Sequence, residues 1–208
     1  MKLEPRLLDL AAFGLAGFMA WLGWQFSQNG DWVLGTILAL GSLRLIWEFT
    51  WKRRHIPTIA SDRATRQQIA AYLKDALGDQ PAQIIDLGAG RGELSRAIAR
   101  ALPKAQVTAI EWDRLPHWQS LFWQTFQSLK NISSLRRDLF THDCHEADAV
   151  VLFLGQLTES AGEKLRRELK PGTLVISNHF ALSGGWLPAE TITFRTPFKG
   201  QLLIYRQT

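Results

Sequence analysis

One stretch limits what this chain can fold into more than any other: Ile84-Ile-Asp86-Leu-Gly88-Ala-Gly90-Arg-Gly92-Glu-Leu-Ser95. Gln83–Leu87 is a short apolar run of strand length, and Glu93–Leu102 has the spacing of a helix. Between them lies a loop with three glycines on alternate positions. In a doubly wound sheet a ligand sits beyond the carboxyl ends of the strands, at the point where the strand order reverses. Glycines there let the backbone approach the ligand, and the following helix presents free N–H groups to it. A dinucleotide fingerprint would read G-x-G-x-x-G. This loop reads G-x-G-x-G with Asp86 two residues ahead of it, which argues against a pyrophosphate and for a ligand carrying an ammonium group.

The pattern around this unit repeats strand and helix. A helix is expected from about Asp62 to Leu77, with Ile69, Leu73, Ala76 and Leu77 on one face, ended by Gly78 and Pro81. Gln106–Glu111 is a second strand, and Pro116–Leu129 a helix behind it. Ile132–Arg136 and Ala147–Leu154 are further strands. Ser160-Ala-Gly-Glu163 has the form of a capping box opening another helix. Lys170-Pro171-Gly172 turns into the strand Thr173–Ser177. Thr191–Arg195 and Gln201–Arg206 surround Pro197-Phe-Lys-Gly200 as a terminal hairpin. Alternation of this kind implies a mainly parallel sheet covered on both faces.

Three acidic positions complete the constellation. Glu111 closes the second strand, where a carboxylate can accept both hydroxyls of a ribose. Trp112 beside it offers a flat apolar face for a purine. Asp138, after the third strand and followed by Leu139, can accept from an exocyclic amine. Ammonium, ribose and adenine together describe S-adenosylmethionine, held by Asp86, Gly88, Ala89, Gly90, Glu111, Trp112, Asp138 and Leu139.

These residues, with the Lys170-Pro-Gly172 turn, resemble class I S-adenosylmethionine-dependent methyltransferases over about residues 58–206. The resemblance implies a Rossmann-like seven-stranded α/β sheet in the order 3-2-1-4-5-7-6 with strand 7 antiparallel. Within that group the chain is similar to the membrane-anchored lysine methyltransferases that include the mitochondrial enzymes modifying ATP synthase subunit c and the adenine nucleotide translocase. The similarity is carried by Ile56-Pro57-Thr58, Asp138-Leu-Phe with Asp143, Glu168-Leu-Lys-Pro-Gly-Thr-Leu-Val-Ile-Ser177 and Trp186-Leu-Pro188. The sequence departs from that family in two places. Its N-terminal segment reads as two apolar runs where one is usual, and Phe153-Leu-Gly-Gln156 lacks the proline expected after the fourth strand.

A mean hydropathy of −0.07 hides a divided chain. From Leu10 to Gly30 there are 21 residues without a charge, a helical length of about 31 Å, one bilayer core. After Gln28-Asn29-Gly30-Asp31, a second apolar run covers Trp32–Trp51 and is interrupted only by Arg44 and Glu48. Residues 1–51 are therefore expected to form a transmembrane helical hairpin, 52–57 a basic linker, and 58–208 the methyltransferase domain. Lys2 and Arg6 precede the first run, Lys52, Arg53 and Arg54 follow the second, and the turn has no basic residue. By the positive-inside rule both ends face the cytoplasm, at the cell inner membrane. Trp21, Trp24 and Trp32 near the turn and Trp47 and Trp51 at the other end suit aromatic belts, and Ala12, Ala16 and Ala20 suit close helix approach. A signal peptide, a soluble helix pair and a monotopic hairpin are the competing readings.

In methyl transfer the enzyme mainly positions the acceptor. Gln156, at the end of the fourth strand, is the candidate for orienting it, with Glu159 and Asp143 as candidates for stabilising or deprotonating it. His142-Asp-Cys144-His145 contains zinc-ligand types, yet no second cluster accompanies it, so no metal is expected. Trp118, Phe122, Trp123 and Phe126 recur at helical spacing and read first as core packing, with a lipid- or partner-facing patch as the rival. Residues 52–208 hold 21 basic and 15 acidic residues, an excess suited to an anionic membrane surface. Nucleic acid is not an expected partner, since no aromatic binding motif accompanies the charge. The expected enzyme N-methylates a lysine of a membrane-associated protein. The alternatives are a lipid, quinone precursor or other small-molecule acceptor, and a tethered cofactor-binding module without turnover.

Overall fold

In the computed structural model the chain divides into two compact units, Met1–Thr58 and Ile59–Thr208. The structure describes residues 5–52, 61–182, 185–194 and 200–208, with side chains left aside for 5–13, 16 and 45–52. Residues 53–57 of the basic linker, the Ile56-Pro57-Thr58 break, the Pro197–Lys199 part of the last turn and the side chains of Ala12, Ala16, Trp47 and Trp51 lie outside the described residues.

The first unit is a helical hairpin of α1 (Pro5–Gln28) and α2 (Trp32–Lys52). Gly30 turns the chain at φ 85°, and the Asp31 carboxylate accepts from Leu34 N–H at 3.3 Å to open α2. The helices meet at glycines: a Cβ on Gly23 would lie 2.9 Å from the Gly35 carbonyl oxygen, and one on Gly35 would lie 2.8 Å from that of Gly23. Ala20, the one described member of the alanine stripe, is exposed and takes no part in this contact. The expectation of two transmembrane spans is not borne out among the described residues. Among the described residues no helix is long and apolar enough to cross a membrane; the described part of α1 ends in Gln25, Ser27 and Gln28, and that of α2 includes Thr36, Ser42 and Arg44.

The second unit runs α3 (Arg63–Leu77), β1 (Gln83–Leu87), α4 (Glu93–Ala101), β2 (Gln106–Glu111), α5 (Arg114–Gln127), β3 (Ile132–Arg136), β4 (Ala149–Leu152), α6 (Thr158–Glu168), β5 (Leu174–Asn178), β6 (Glu190–Phe194) and β7 (Gly200–Arg206). The strands form one sheet in the order β3-β2-β1-β4-β5-β7-β6. The first five are parallel, and β7 inserts antiparallel between β5 and β6. The order reverses between β1 and β4, which places the switch point at the end of β1.

Period-two alternation sorts β1 between two cores. Ile84 packs with Ile69, Leu73, Ile98 and Val107 under α3 and α4, whereas Ile85 and Leu87 pack with Val150, Leu152, Leu165 and Tyr205 on the α6 side. Asp86 shares the face of Ile84 and so points beneath α4. Asp62 caps α3, accepting from Thr65 N–H at 2.9 Å. Asp113 caps α5 and moves its start to Arg114, ahead of the expected Pro116. The capping box at Ser160 is not formed, because α6 begins at Thr158, after a single 3-10 turn over Gly155–Leu157.

Candidate active site at the carboxyl ends of the sheet

The loop after β1 turns on three left-handed glycines, Gly88 at φ 75°, Gly90 at 55° and Gly92 at 69°. The N–H groups of Gly88 and Ala89 both donate to the Ile110 carbonyl at 2.9 Å, which fixes the loop to β2. A Cβ on Gly88 would lie 2.4 Å from Leu154 Cδ2, and one on Gly92 would lie 2.2 Å from Ser120 Oγ. Both positions need glycine for its conformation and for space.

Two carboxylates meet at this loop. Asp86 is buried and accepts from Ser95 Oγ at 2.5 Å. Burial pushes its carboxyl up to about 6, partly opposed by the Ser95 hydrogen bonds and helped by the negative charge of Glu111. Glu111 is also raised, chiefly by burial and against the pull of its backbone donors. Glu111 Oε2 accepts from Gly90 N–H at 2.7 Å and Oε1 from Asp113 N–H at 2.7 Å. A carboxylate has about four acceptor positions, so capacity remains for a diol. Among the described residues no cation acts on either carboxylate. Two raised carboxyl groups without a protein cation fit a ligand that brings its own positive charge.

The remaining expected cofactor residues surround this pair. Trp112 stands at the end of β2 with 64% of its surface exposed, open to lie against a flat ring. Asp138 follows β3, and its Oδ1 accepts from Phe140 N–H at 2.9 Å in a tight turn. Leu139 is buried in the α6-side core and anchors that turn.

Gln156 lies in the 3-10 turn after β4, exposed at the same end of the sheet. Glu159 is exposed in the first turn of α6. Asp143 is not brought to this end. Its Oδ1 accepts from His145 N–H at 2.9 Å, and the neighbouring Cys144 and His145 contact Glu168 at the far end of α6. Cys144 is buried, with its thiol pushed up to about 11 by burial. Among the described residues no group of His, Cys, Asp and Glu has the arrangement of a metal site.

Several residues of the site were not singled out in the sequence. Ser95 is one, although a hydroxyl in the first turn of the helix after the loop was a readable signal. The end of β5 supplies Asn178, whose Nδ2 donates to Ser61 Oγ at 3.1 Å, and His179, a non-glycine residue at φ 71°. Phe180 stacks on Phe153 from the end of β4, with ring centroids 5.8 Å apart. Arg66 of α3 pairs with Glu93 of α4 at 2.5 Å. These contacts join segments far apart in the chain, which no local pattern reveals.

Sheet order, glycine loop and paired carboxylates define an S-adenosylmethionine-dependent methyltransferase. More narrowly, the chain belongs to the ANTKMT methyltransferase domain family, which it matches over residues 86–190. It is 27% identical over 140 residues to a protein-lysine N-methyltransferase of Saccharolobus islandicus, covering 66% of this chain and 84% of that one. Similar solved structures include an RNA methyltransferase from Salinibacter ruber in complex with S-adenosyl-L-homocysteine, at 22% identity and TM-score 0.58 over 71% of this chain and 93% of that one. Another is the magnesium protoporphyrin IX methyltransferase of Synechocystis with bound S-adenosylmethionine, at 18% identity and TM-score 0.56 over 70% and 81%. At these identities the two structures establish the fold.

Proposed function

We propose that this methyltransferase N-methylates a lysine side chain of a membrane-associated protein, working at the cytoplasmic face of the inner membrane to which its N-terminal hairpin attaches. The lysine reading rests on the relative that carries that activity, together with an acceptor side made of Gln156, Phe153 and Phe180. Membrane attachment is supported by the hairpin surface, where Leu15, Phe18, Trp21, Trp32, Ile37 and Leu40 are each more than half exposed. A soluble helix pair would turn such a surface inward. The basic excess of the chain suits an anionic bilayer.

When bound, the cofactor supplies an electrophilic methyl group on a positively charged sulfur. The protein's part is to hold and to exclude. Asp86, oriented by Ser95, takes the ammonium end, directly or through water. Glu111 takes the ribose hydroxyls, Trp112 covers the purine and Asp138 accepts from its amine. On the acceptor side, the amide oxygen of Gln156 accepts a hydrogen bond from the neutral amine and turns its lone pair toward the methyl. Phe153 and Phe180 flank the alkyl stem. Transfer would form the N–C bond at the expense of the cofactor's C–S bond, whose electron pair would stay on sulfur, and the amine proton would pass to water or to a carboxylate, for which Glu159, exposed in the first turn of α6 at this end of the sheet, is the candidate.

The test incubates the full-length protein and its Asp86→Ala variant with membranes and tritiated S-adenosylmethionine. Label on a discrete protein band, absent with the variant, is the expected result, and peptide mapping then names the residue. Label only in the lipid extract replaces the lysine reading with a small-molecule acceptor. Cofactor binding without transfer to any membrane fraction replaces it with a binding module.

A further inference from the structure

Helix α5 is amphipathic in the inverse sense. Its core-facing stripe is polar: His117 and Ser120 are buried, Ser120 Oγ meets Ser134 Oγ of β3 at 3.0 Å, and Gln124 Nε2 donates to Ser134 Oγ at 2.6 Å. Gln127 accepts from Arg100 of α4. At 100° per residue these four side chains occupy an arc of about 80°. Directly opposite, in an arc of the same width, lie Leu115, Trp118, Phe122 and Phe126. This stripe faces solvent: Trp118 is 71% exposed and Phe126 68%. The expected core packing is therefore overturned. Phe122 and Phe126 pack against one another in a tilted arrangement, with centroids 4.8 Å apart, and Trp123 and Leu121 widen the patch. Aromatics so exposed leave several hundred Å² of apolar area in water, at or above the largest patch on an ordinary monomer.

We infer that α5 is an interfacial helix that lays the catalytic unit on an anionic lipid surface. Charge selects that occupant. The segment from Trp112 to Arg137 contains Arg114, Lys130, Arg136 and Arg137 against the single acid Asp113, and all four basic side chains are exposed. The helix Arg114–Gln127 itself has no acid. Trp, Phe and Leu on the outer face with basic residues at its rim is the composition that settles at the headgroup boundary, the rings among the acyl chains and the cations among the phosphates. A second copy of the chain is disfavoured by the same charges, since a two-fold contact would set the basic rim against itself. Because α5 starts directly after Glu111 and Trp112, docking through it would set the cofactor pocket beside the bilayer surface. This inference shares the membrane with the reading above, but it stands on a different unit and can fail separately.

The test uses the full-length chain. Cys144 is buried and unreactive, so one introduced cysteine can be labelled with an environment-sensitive fluorophore. Phe122→Cys reports on the patch, and Glu163→Cys, on the exposed face of α6, is the reference. Each is mixed with vesicles of phosphatidylcholine alone or with phosphatidylglycerol, with or without brominated acyl chains, and flotation records whether the chain binds at all. The expected result is a blue shift at position 122 and at least about twofold quenching by brominated chains, stronger with the anionic lipid, and neither effect at position 163. A floating chain whose label at 122 stays in water overturns the α5 inference and leaves the hairpin reading standing. A chain that floats only with anionic vesicles, with the label at 122 quenched, supports α5 and overturns the hairpin attachment. A chain that binds neither vesicle overturns both. Shielding at 122 without lipid, increasing with protein concentration, assigns the patch to a second copy and overturns the lipid surface.

Discussion

Replacing Asp86 with asparagine should separate what the site costs the fold from what it gives the cofactor. Asp86 is buried beneath α4, and its carboxyl is pushed up to about 6. An ordinary aspartate titrates near about 3.9, and the difference corresponds to about 3 kcal/mol that the folded chain forfeits once the group is ionised. The sign follows from proton counting. Between about pH 4 and pH 6 the folded state holds a proton that the unfolded state has lost, so stability falls as pH rises and then levels off above 6. Asparagine cannot ionise and removes this dependence, while its oxygen can still accept from Ser95. The amide packing adds a constant offset of about 1–3 kcal/mol if its N–H groups find no partner, so the change with pH is the quantity to read. The stability of the variant relative to the parent should rise by about 2.5 kcal/mol from about pH 4 to pH 8. At about 2–4 °C per kcal/mol for a unit of this size, that is about 5–10 °C in relative Tm. Thermal unfolding of both proteins across the pH series measures it. Cofactor binding should run the other way: the positive charge favours the carboxylate, so Kd should rise toward tenfold per pH unit below about 6 in the parent, with the variant weak throughout. A relative Tm that stays constant across the series would refute the reasoning.

Other consequences can be checked alongside. Gly92→Ala forces a left-handed residue and sets a Cβ 2.2 Å from Ser120 Oγ; about 3 kcal/mol should be lost, and Ser120→Ala in the same chain should restore the steric part only, as a double-mutant thermal cycle will show. Lys164→Met removes a buried ammonium that donates to the His142 carbonyl at 2.6 Å and pairs with Glu168. With Glu168 left about one third exposed, about 2 kcal/mol of destabilisation is expected in thermal unfolding, without a change in cofactor affinity. Gln156→Ala should leave the cofactor Kd unchanged and lower the transfer rate about 10- to 100-fold, read by label incorporation at saturating cofactor.

The site also explains a division of labour along the sheet. Residues on β1, α4 and β2 bind one another through short hydrogen bonds and are set before any ligand arrives, which is the pre-organisation that methyl transfer rewards. At the ends of β4 and β5, where the acceptor is proposed to sit, the structure places an exposed amide, an aromatic pair and a histidine in a left-handed conformation. Such a conformation is held only where the surrounding structure over-determines it. Ser177 Oγ donating to the Phe180 carbonyl across that turn, and Asn178 bonded to Ser61, supply the constraint.

What the amino-acid order determined by itself was local in origin. Alternating apolar runs and helical stripes marked the strands and helices to within a few residues, and the spacing of Gly88, Gly90 and Gly92 after a strand marked the candidate ligand loop, because left-handed turns leave a compositional trace. Carboxylates at strand ends, Asp86 and Glu111, could be read for the same reason. Only the tertiary structure decided which face of α5 is inside. Periodicity announces an aromatic stripe but does not say what lies against it, and here the sheet edge offers Ser134 and α4 offers Arg100, so the polar stripe turns inward. The same holds for the partners of Asn178 and Arg66. Each depends on where chain segments dozens of residues away come to rest, and that is settled by packing the sheet as a whole rather than by any window of sequence.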